Sequence, residues 1–244
     1  MKITALLTGR GNNTLKDKNI LMLNGYPLLH YPANAAKKSK LISEFYVSSE
    51  CKKILTEASE CGYKKIVRPD ALATPTALHH DVLKHAVQAM KEAGHTPDIL
   101  VVLLANSPTV KSEWIDDCIQ SLLNNDSLSS ITPVVRDQDK HPYRAKTLSS
   151  DGKLTSFFDL SAQAAPSNRQ QLPVCYFLCH NFWVIRLNQG GVLEDGELPW
   201  VFLGNNVMPY EVDESFDIHD MKDVRRASEW LDLNNINLRD ANKE

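Results

Sequence analysis

Short apolar runs alternate along this chain with stretches whose apolar residues recur at helical spacing, a pattern that predicts strands and helices in turn. Ile3-Thr4-Ala5-Leu6-Leu7 reads as a buried first strand, followed by the polar, glycine-containing stretch Thr8 to Lys18 and a helix from Pro27 to about Lys38. The pattern repeats with a strand over Glu44 to Ser48, a helix over Glu50 to Cys61 stopped by Gly62, and a strand over Lys65 to Arg68. A third helix fits His79 to Ala93, with Gly94 closing it. Ile99 to Leu104 is a continuous apolar run of the kind buried in the middle of a parallel sheet. Asn106-Ser107-Pro108 follows it, and Ser112 is placed to cap a helix through Leu123. Strands return over Val174 to Leu187 and Val207 to Val212; a last helix covers Met221 to Leu231, and the polar tail after Asp232 is expected to fray.

Alternating strands and helices with short links predict an α/β fold, in which right-handed crossovers put helices on both faces and ligands bind beyond the carboxyl ends of the strands. The stretch Thr8 to Lys18 sits at such an end. The section from about Arg136 to Pro173 has another character: polar, rich in Ser, Asp and Gln, with only short strand-like pieces such as Lys153-Leu154-Thr155. It reads as an excursion from the core and a candidate dimer arm.

Composition narrows the function classes. With 244 residues, 43% hydrophobic and 23% charged, the chain is an ordinary globular protein, which excludes disorder, collagen and a membrane bundle. Lys and Arg number 27 against 30 Asp and Glu, so no overall field holds a nucleic acid, and none is expected as a partner. Any polyanion must be met by a local cluster. The longest apolar run, Ile99 to Ala105, falls far short of the roughly 20 residues that span a bilayer, and Met1 to Arg10 carries no secretory h-region. A cytoplasmic protein without a membrane partner is expected. Five scattered cysteines predict free thiols rather than a disulfide framework.

The first loop holds the clearest candidate chemistry. Gly9, Arg10, Gly11, Lys16 and Lys18 stand between a strand and a helix, and backbone amides, a guanidinium fork and ammonium groups are what a polyphosphate needs. The spacing is neither that of a P-loop nor that of a dinucleotide fingerprint, and local features leave a solvated turn as the other reading. Cys175-x3-Cys179-His180 invites a soft-metal reading, but a strand there puts both thiols on one face, as core residues. His79, His80 and His85 open a predicted helix, where a surface face explains them. No Gly-x-Ser-x-Gly elbow is present, so covalent catalysis is not expected.

The loop, with Ile20, Gly25, Pro27 and Leu28 behind it, resembles the N-terminal signature of the acylneuraminate cytidylyltransferases, the CMP-sialic acid synthetase family. Arg10, Lys18 and Asn19 match that signature directly. Further pieces recur in the family's order: Arg68-Pro69-Asp70-Ala71-Leu72-Ala73 with Thr76, Ser107-Pro108, His141-Pro142, Arg169-Gln170-Gln171-Leu172-Pro173, and Asp217-Ile218. Together they span residues 1 to about 231. The resemblance implies one cytidylyltransferase domain over residues 1–244, with a nucleotide-diphosphosugar-transferase-like, Rossmann-type sheet flanked by helices. It also implies a homodimer, with residues 136–173 as the protruding dimerisation segment.

The activity so implied is transfer of CMP from CTP to the anomeric hydroxyl of an acidic sugar, a sialic-acid-like 2-ulosonic acid, with release of pyrophosphate. Carried over by position, Arg10 and Lys18 would neutralise the triphosphate, while Gly9, Gly11, Lys16, Asn19, Arg68, Thr76 and Ser107 would place the nucleotide. Arg144, Arg169, Gln171 and His180 would meet the sugar, and His79, aligned where the family often carries a small hydroxyl residue, is placed for a phosphate contact as the alternative to its surface reading. Asp217 would hold Mg²⁺, with His219 standing where the family has a second Asp. His219 is a poor magnesium ligand, so a second-shell or general-base role, or a carboxylate from Asp220 or Asp223, is the alternative; an acidic cap on the last helix is another reading of this stretch. Leu104 replaces an expected glutamine beside the nucleotide, and Cys179-His180 replaces an Asn-Gly pair of the sugar site. These departures point away from N-acetylneuraminate, toward a nonulosonate such as legionaminic or pseudaminic acid. A nucleotidyltransferase for another anionic acceptor, and a nucleotide-binding module without catalysis, are the rival readings.

Overall fold

The fold is built outward from Ile3–Thr8, a strand in which every residue is buried. The computed structural model describes residues 1–11, 14–159, 166–188 and 190–238. In chain order the elements are β1 (Ile3–Thr8), β2 (Met22–Leu23), β3 (Tyr26–Pro27), α1 (His30–Lys38), β4 (Glu44–Ser49), α2 (Lys52–Glu60), β5 (Lys64–Val67), α3 (His79–Glu92) and β6 (Ile99–Leu104). There follow α4 (Ser112–Leu123), β7 (Ser130–Arg136), β8 (Lys146–Leu148), β9 (Leu154–Ser156), β10 (Tyr176–Leu178), β11 (Phe182–Arg186), β12 (Val207–Glu211) and α5 (Met221–Leu233).

Eight strands form the main sheet. β1 lies between β4 and β6, parallel to both, and β5 extends the sheet parallel to β4. Beyond β6 the sheet turns mixed: β11 runs antiparallel to β6 and β7, β10 antiparallel to β7, and β12 parallel to β7. The apolar run of β6 therefore sits centrally, as expected, but at the border between a parallel and an antiparallel half. Alternation along the strands divides the core. Ala5, Leu7, Val101 and Leu103 face Ala33 and Ala36 of α1, Ile54 and Leu55 of α2, and Ile115 and Ile119 of α4. Leu6, Leu100 and Val102 face Leu83, Ala86, Val87 and Met90 of α3, with Trp183 and Phe202. Helices thus cover both faces, as the α/β reading requires.

A third cluster packs Val224, Ala227, Trp230 and Leu231 of α5 on Leu23, Leu28, Tyr31 and Ile218. It anchors the chain segment just before α5 to the first loop.

Several elements differ from expectation for identifiable reasons. α1 starts at His30, since Tyr26–Pro27 pairs with Met22–Leu23 around Asn24 and Gly25, whose φ of 47° and 89° suit a tight hairpin. Lys111, not Ser112, is the cap residue of α4, and the Ser112 hydroxyl donates to the Glu113 carboxylate instead. β7 escapes the sequence pattern because Pro133 interrupts it, and a proline inside a sheet is unusual. After Asp232 the chain stays packed as far as Leu238, which is 4% exposed. Gly62 and Gly94 do follow α2 and α3 with φ of 81° and 79°, the left-handed stops the sequence predicts.

Between β7 and β10, β8 and β9 pair with each other in a sheet of their own, with Leu148, Leu154, Phe157 and Phe158 exposed. Residues 160–165 of this excursion lie outside the described ones. All five cysteines are free. Cys175 and Cys179 flank β10, half-buried and buried respectively, and burial pushes the Cys179 thiol up to about 11. Among the described residues no helix is long and apolar enough to cross a membrane.

Candidate active site

β1, β4 and β6 end side by side, with Thr8 paired to both Ser48 and Leu104. The loops that follow these strands meet in one cleft, where an α/β fold binds its ligands. Gly9 opens the first loop, and a Cβ there would stand 3.0 Å from Ala105 Cβ and 3.3 Å from Asn19 Nδ2. A side chain there would force these neighbours to give by a few tenths of an ångström. Buried Asn19 ties the loop's two arms together: its Nδ2 donates to the Arg10 carbonyl at 2.8 Å, while its own carbonyl accepts from Leu29 N at 2.9 Å. Arg10 and Lys18 are thereby held on the same cleft, whose lining they share with Gly9, Asn19 and Arg68.

Arg68, 5% exposed at the end of β5, donates from Nη2 to the Ser48 carbonyl at 2.7 Å and from Nε to Ser48 Oγ at 3.2 Å. Burial, with Arg10 beside it, lowers its pKa to about 10, against the opposing pull of Glu50. Lys18 is lowered too, first by burial and then by Arg10, with Asp217 and Asp223 pulling the other way. Arg10 repels both Lys18 and Arg68 in a half-buried cleft, an arrangement that favours an anionic ligand. The wall contributed by residues 72–82 and β6 is different: Leu72, Ala77, Val82 and Leu104 line it, with Thr74 and His79.

Asp217 reaches the cationic group because its neighbours are pinned. Phe216 N donates to Thr109 Oγ1 at 2.8 Å and Ile218 N to the Asn106 carbonyl at 2.8 Å, while the Ile218 side chain is buried under α5. His219 Nε2 lies 2.7 Å from Asp217 Oδ2. Asp220 and Asp223 are committed elsewhere, forming a capping box at the start of α5. That accounts for one oxygen of each of these acidic residues as part of the helix cap. His180 leaves the sheet at the break between β10 and β11, where its carbonyl accepts from Ser107 Oγ at 2.6 Å. Its ring lies 5.4 Å from that of Trp200, and burial lowers its pKa, partly offset by Asp217.

The structure thus brings together Gly9, Arg10, Lys18, Asn19 and Arg68, with Asp217, His219 and His180 adjoining. Other expected residues stand differently. The Gly11 amide is donated to Glu50 Oε1 at 2.6 Å, and a Cβ there would be 2.7 Å from Cys51 Cβ, so this glycine packs on the start of α2. Ser107 is fully buried, its hydroxyl spent on the His180 carbonyl. Thr74, not exposed Thr76, lines the cleft, and Lys16 is exposed outside its lining. Arg144 and Arg169 converge on Asp139, at 3.4 and 2.7 Å, in the excursion that also holds exposed Gln171. None of these three lines this chain's own cleft.

Two residues escaped the sequence reading. Glu50 follows β4 directly; one carboxylate oxygen holds Gly11, the other is buried without a partner among the described residues, and its charge opposes that of Arg10 at Arg68. Its position just past a strand's carboxyl end is the signal that could have found it. His79, expected on a surface helix face, packs instead against Trp183 and Phe202 and lines the cleft.

A model of the family described as Cytidylyltransferase matches residues 10–178. The chain is 28% identical over 160 residues to an N-acylneuraminate cytidylyltransferase of Escherichia coli O18:K1:H7, an alignment covering 65% of this chain and 37% of that protein. It therefore spans little more than a third of that relative's length. It is 24% identical over 234 residues to the post-translational flagellin modification protein B of Campylobacter coli, covering 94% of each. Among solved structures, the CMP:2-keto-3-deoxy-manno-octonic acid synthetase complexed with CTP superposes with a TM-score of 0.68 at 15% identity, covering 96% of this chain and all of that one. A 4-diphosphocytidyl-2C-methyl-D-erythritol synthase of Anaerococcus prevotii shares the fold with a TM-score of 0.62 at 12% identity, over 95% of this chain and 96% of that one.

Proposed function

This chain belongs to the cytidylyltransferase family, and from that premise we propose that it transfers CMP from CTP to the anomeric hydroxyl of an acidic 2-ulosonic sugar. The observation that carries this reading is the cluster of Arg10, Lys18 and Arg68 lining one cleft, with the Asp217 carboxylate near enough to attract Lys18. The acceptor oxygen attacks the α-phosphorus in line, its proton passes to solvent water, and the bond from the α-phosphorus to the bridging oxygen breaks to release pyrophosphate. Arg10 and Lys18 neutralise the charge that gathers on the leaving pyrophosphate, already desolvated and in place. Asn19 and Glu50 hold the loop that carries them.

Magnesium takes one or two carboxylates beside substrate phosphates and water, and Asp217 offers one hard carboxylate next to a cleft built for phosphates. The donor set fits, with Asp217 as the holder. His219 supplies nitrogen rather than oxygen, and its bond to Asp217 Oδ2 suits a group that orients the carboxylate. When bound, Mg²⁺ would draw charge from the α-phosphate and acidify the acceptor hydroxyl.

The names of the relatives support an acidic sugar as acceptor: an N-acylneuraminate in one, a 3-deoxy-octonic acid in another, with a flagellin-modifying protein as a relative matched almost end to end. His180 beside Asp217 and Trp200, in place of the Asn-Gly pair, supports a nonulosonate of the legionaminic or pseudaminic type over N-acetylneuraminate. Arg144, Arg169 and Gln171 meet such a sugar if the excursion reaches the cleft of a second copy, which also covers exposed Leu148, Leu154, Phe157 and Phe158. Light scattering at micromolar concentration is expected to give a dimer; a fully active monomer sinks the arm.

Pyrophosphate release from CTP and Mg²⁺ tests the main reading across N-acetylneuraminate, legionaminate, pseudaminate and 3-deoxy-manno-octulosonate. Release with one acceptor is expected. Silence throughout, with CTP still raising the melting temperature, identifies a binding module or an acceptor outside this class.

A further inference from the structure

Outside the cleft, α1 and α2 bring three metal-ligating side chains to one point. His30 is the first residue of α1, and Glu57 and Glu60 stand in the last turn of α2. One ring nitrogen of His30 and one carboxylate oxygen from each glutamate all lie within 4.8 Å of one another. His30 Nε2 and Glu57 Oε2 are 3.2 Å apart, close to the roughly 3.4 Å between two ligands of one tetrahedral zinc ion. The His30 side chain is 14% exposed and that of Glu57 30%, while Glu60 lies at the surface, so the group has a covered floor and an open rim.

The charge at this point is unbalanced. Among the described residues the one ion pair of Glu57 is with His30, and Glu60 has none. Lys37, further along α1, sits over the Phe45 ring instead, 4.2 Å from its centroid. Both carboxylates also stand at the C-terminal end of α2, where the helix dipole disfavours negative charge and prefers a cation. Their field reaches Cys61: burial first, then Glu57 and Glu60, push its thiol up to about 12, against the opposing pull of Lys37.

We propose that His30, Glu57 and Glu60 together bind a divalent transition-metal ion of the zinc type, with water completing its coordination. The imidazole decides the class of ion, because nitrogen suits zinc whereas Mg²⁺ asks for oxygen. One nitrogen and two carboxylates are a donor set that zinc accepts. The site is separate from Asp217 and does not depend on the nucleotide reading of the cleft. Its effect falls on the scaffold. Leu29, the residue before His30, donates its amide to the Asn19 carbonyl at 2.9 Å, and α2 begins beside Gly11, whose amide Glu50 holds. An ion that joins α1 to α2 therefore braces both supports of the first loop.

Calorimetric titration of chelator-treated protein with zinc chloride, and separately with magnesium chloride, tests this without nucleotide. An Asp217→Asn, His219→Ala background removes the other histidine-carboxylate pair, so that zinc held there does not enter the count. In that background zinc is expected to bind, and His30→Ala, Glu57→Gln or Glu60→Gln each to lose at least about tenfold in zinc affinity. Zinc at ten times its dissociation constant should raise the melting temperature of the background protein by about 3 to 6 °C, and that of the three variants far less. Magnesium at the same concentration should do neither. Glu60 lies at the surface, so Glu60→Gln remains decisive should His30→Ala not fold. Zinc affinity unchanged by all three substitutions, or no zinc binding in the background protein, overturns the proposal and leaves His30 and Glu57 as an ion pair. Magnesium bound here as tightly as zinc overturns the assignment of the ion.

Discussion

Asp217→Asn is expected to lower turnover by roughly 10³-fold while leaving CTP binding within a few-fold of wild type. The two side chains have the same shape, and the position is fixed by main-chain bonds of Phe216 and Ile218 that the substitution does not touch. The fold is therefore preserved and only the carboxylate charge is lost. Asn also retains an oxygen that can pair with His219, so the hydrogen bond now at 2.7 Å does not confound the result. That charge is what would hold Mg²⁺ beside the α-phosphate, and it also counters the positive charge of Lys18. CTP should bind Asp217→Asn almost as well, because one fewer negative charge offsets the weaker hold on the cation. His219→Ala, which removes only the group that orients Asp217, should lose about tenfold and recover part of it in His219→Asn or His219→Gln. Turnover of Asp217→Asn within tenfold of wild type would mean that the carboxylate does not serve the reaction, and the metal assignment would fall with it.

The sequence makes one half of this site readable and hides the other for physical reasons. Arg10, Lys18 and Asn19 all follow closely on the end of one strand at Thr8, so spacing alone shows that they share a loop. Arg68 and Asp217 are distant in sequence, and it is the order of motifs rather than any local pattern that links them to it. What could not be read is how side chains spend their hydrogen bonds. Ser107 looks like a ligand group, yet its hydroxyl holds the His180 carbonyl, and the Gly11 amide is used by Glu50. Glu50 itself is an ordinary acidic residue at the start of a helix until the fold places it against the loop. His79 illustrates the opposite error: helical periodicity assigned it to a surface face, but as the first residue of α3 it turns toward Trp183 and the cleft. Pro133 concealed β7 in the same way, and with it the antiparallel half of the sheet that delivers His180.

Lys18→Met should uncouple stability from function. The substitution keeps the length and most of the volume of the side chain and removes its charge, so kcat/KM for CTP is expected to fall by roughly 10²- to 10³-fold, the loss typical of one well-placed donor to developing charge. The melting temperature at pH 7 is nevertheless expected to stay level or rise. Burial is the largest influence on Lys18, and with Arg10 it outweighs the attraction of Asp217 and Asp223, so the folded pKa lies below the ordinary lysine value. Between the folded and unfolded pKa values the unfolded chain binds more protons, and stability grows with pH across that window. The penalty for keeping Lys18 charged is therefore complete at neutral pH and relieved only as pH climbs toward about 10.4. Any advantage of Lys18→Met in melting temperature should shrink over that alkaline range, and CTP should stabilise it less than wild type. A variant clearly less stable at pH 7 would show that the attraction of Asp217 dominates and that the cluster is held by its own carboxylate. The expected result places the missing negative charge on the substrate: the loop keeps a desolvated lysine beside an arginine because a triphosphate completes the set.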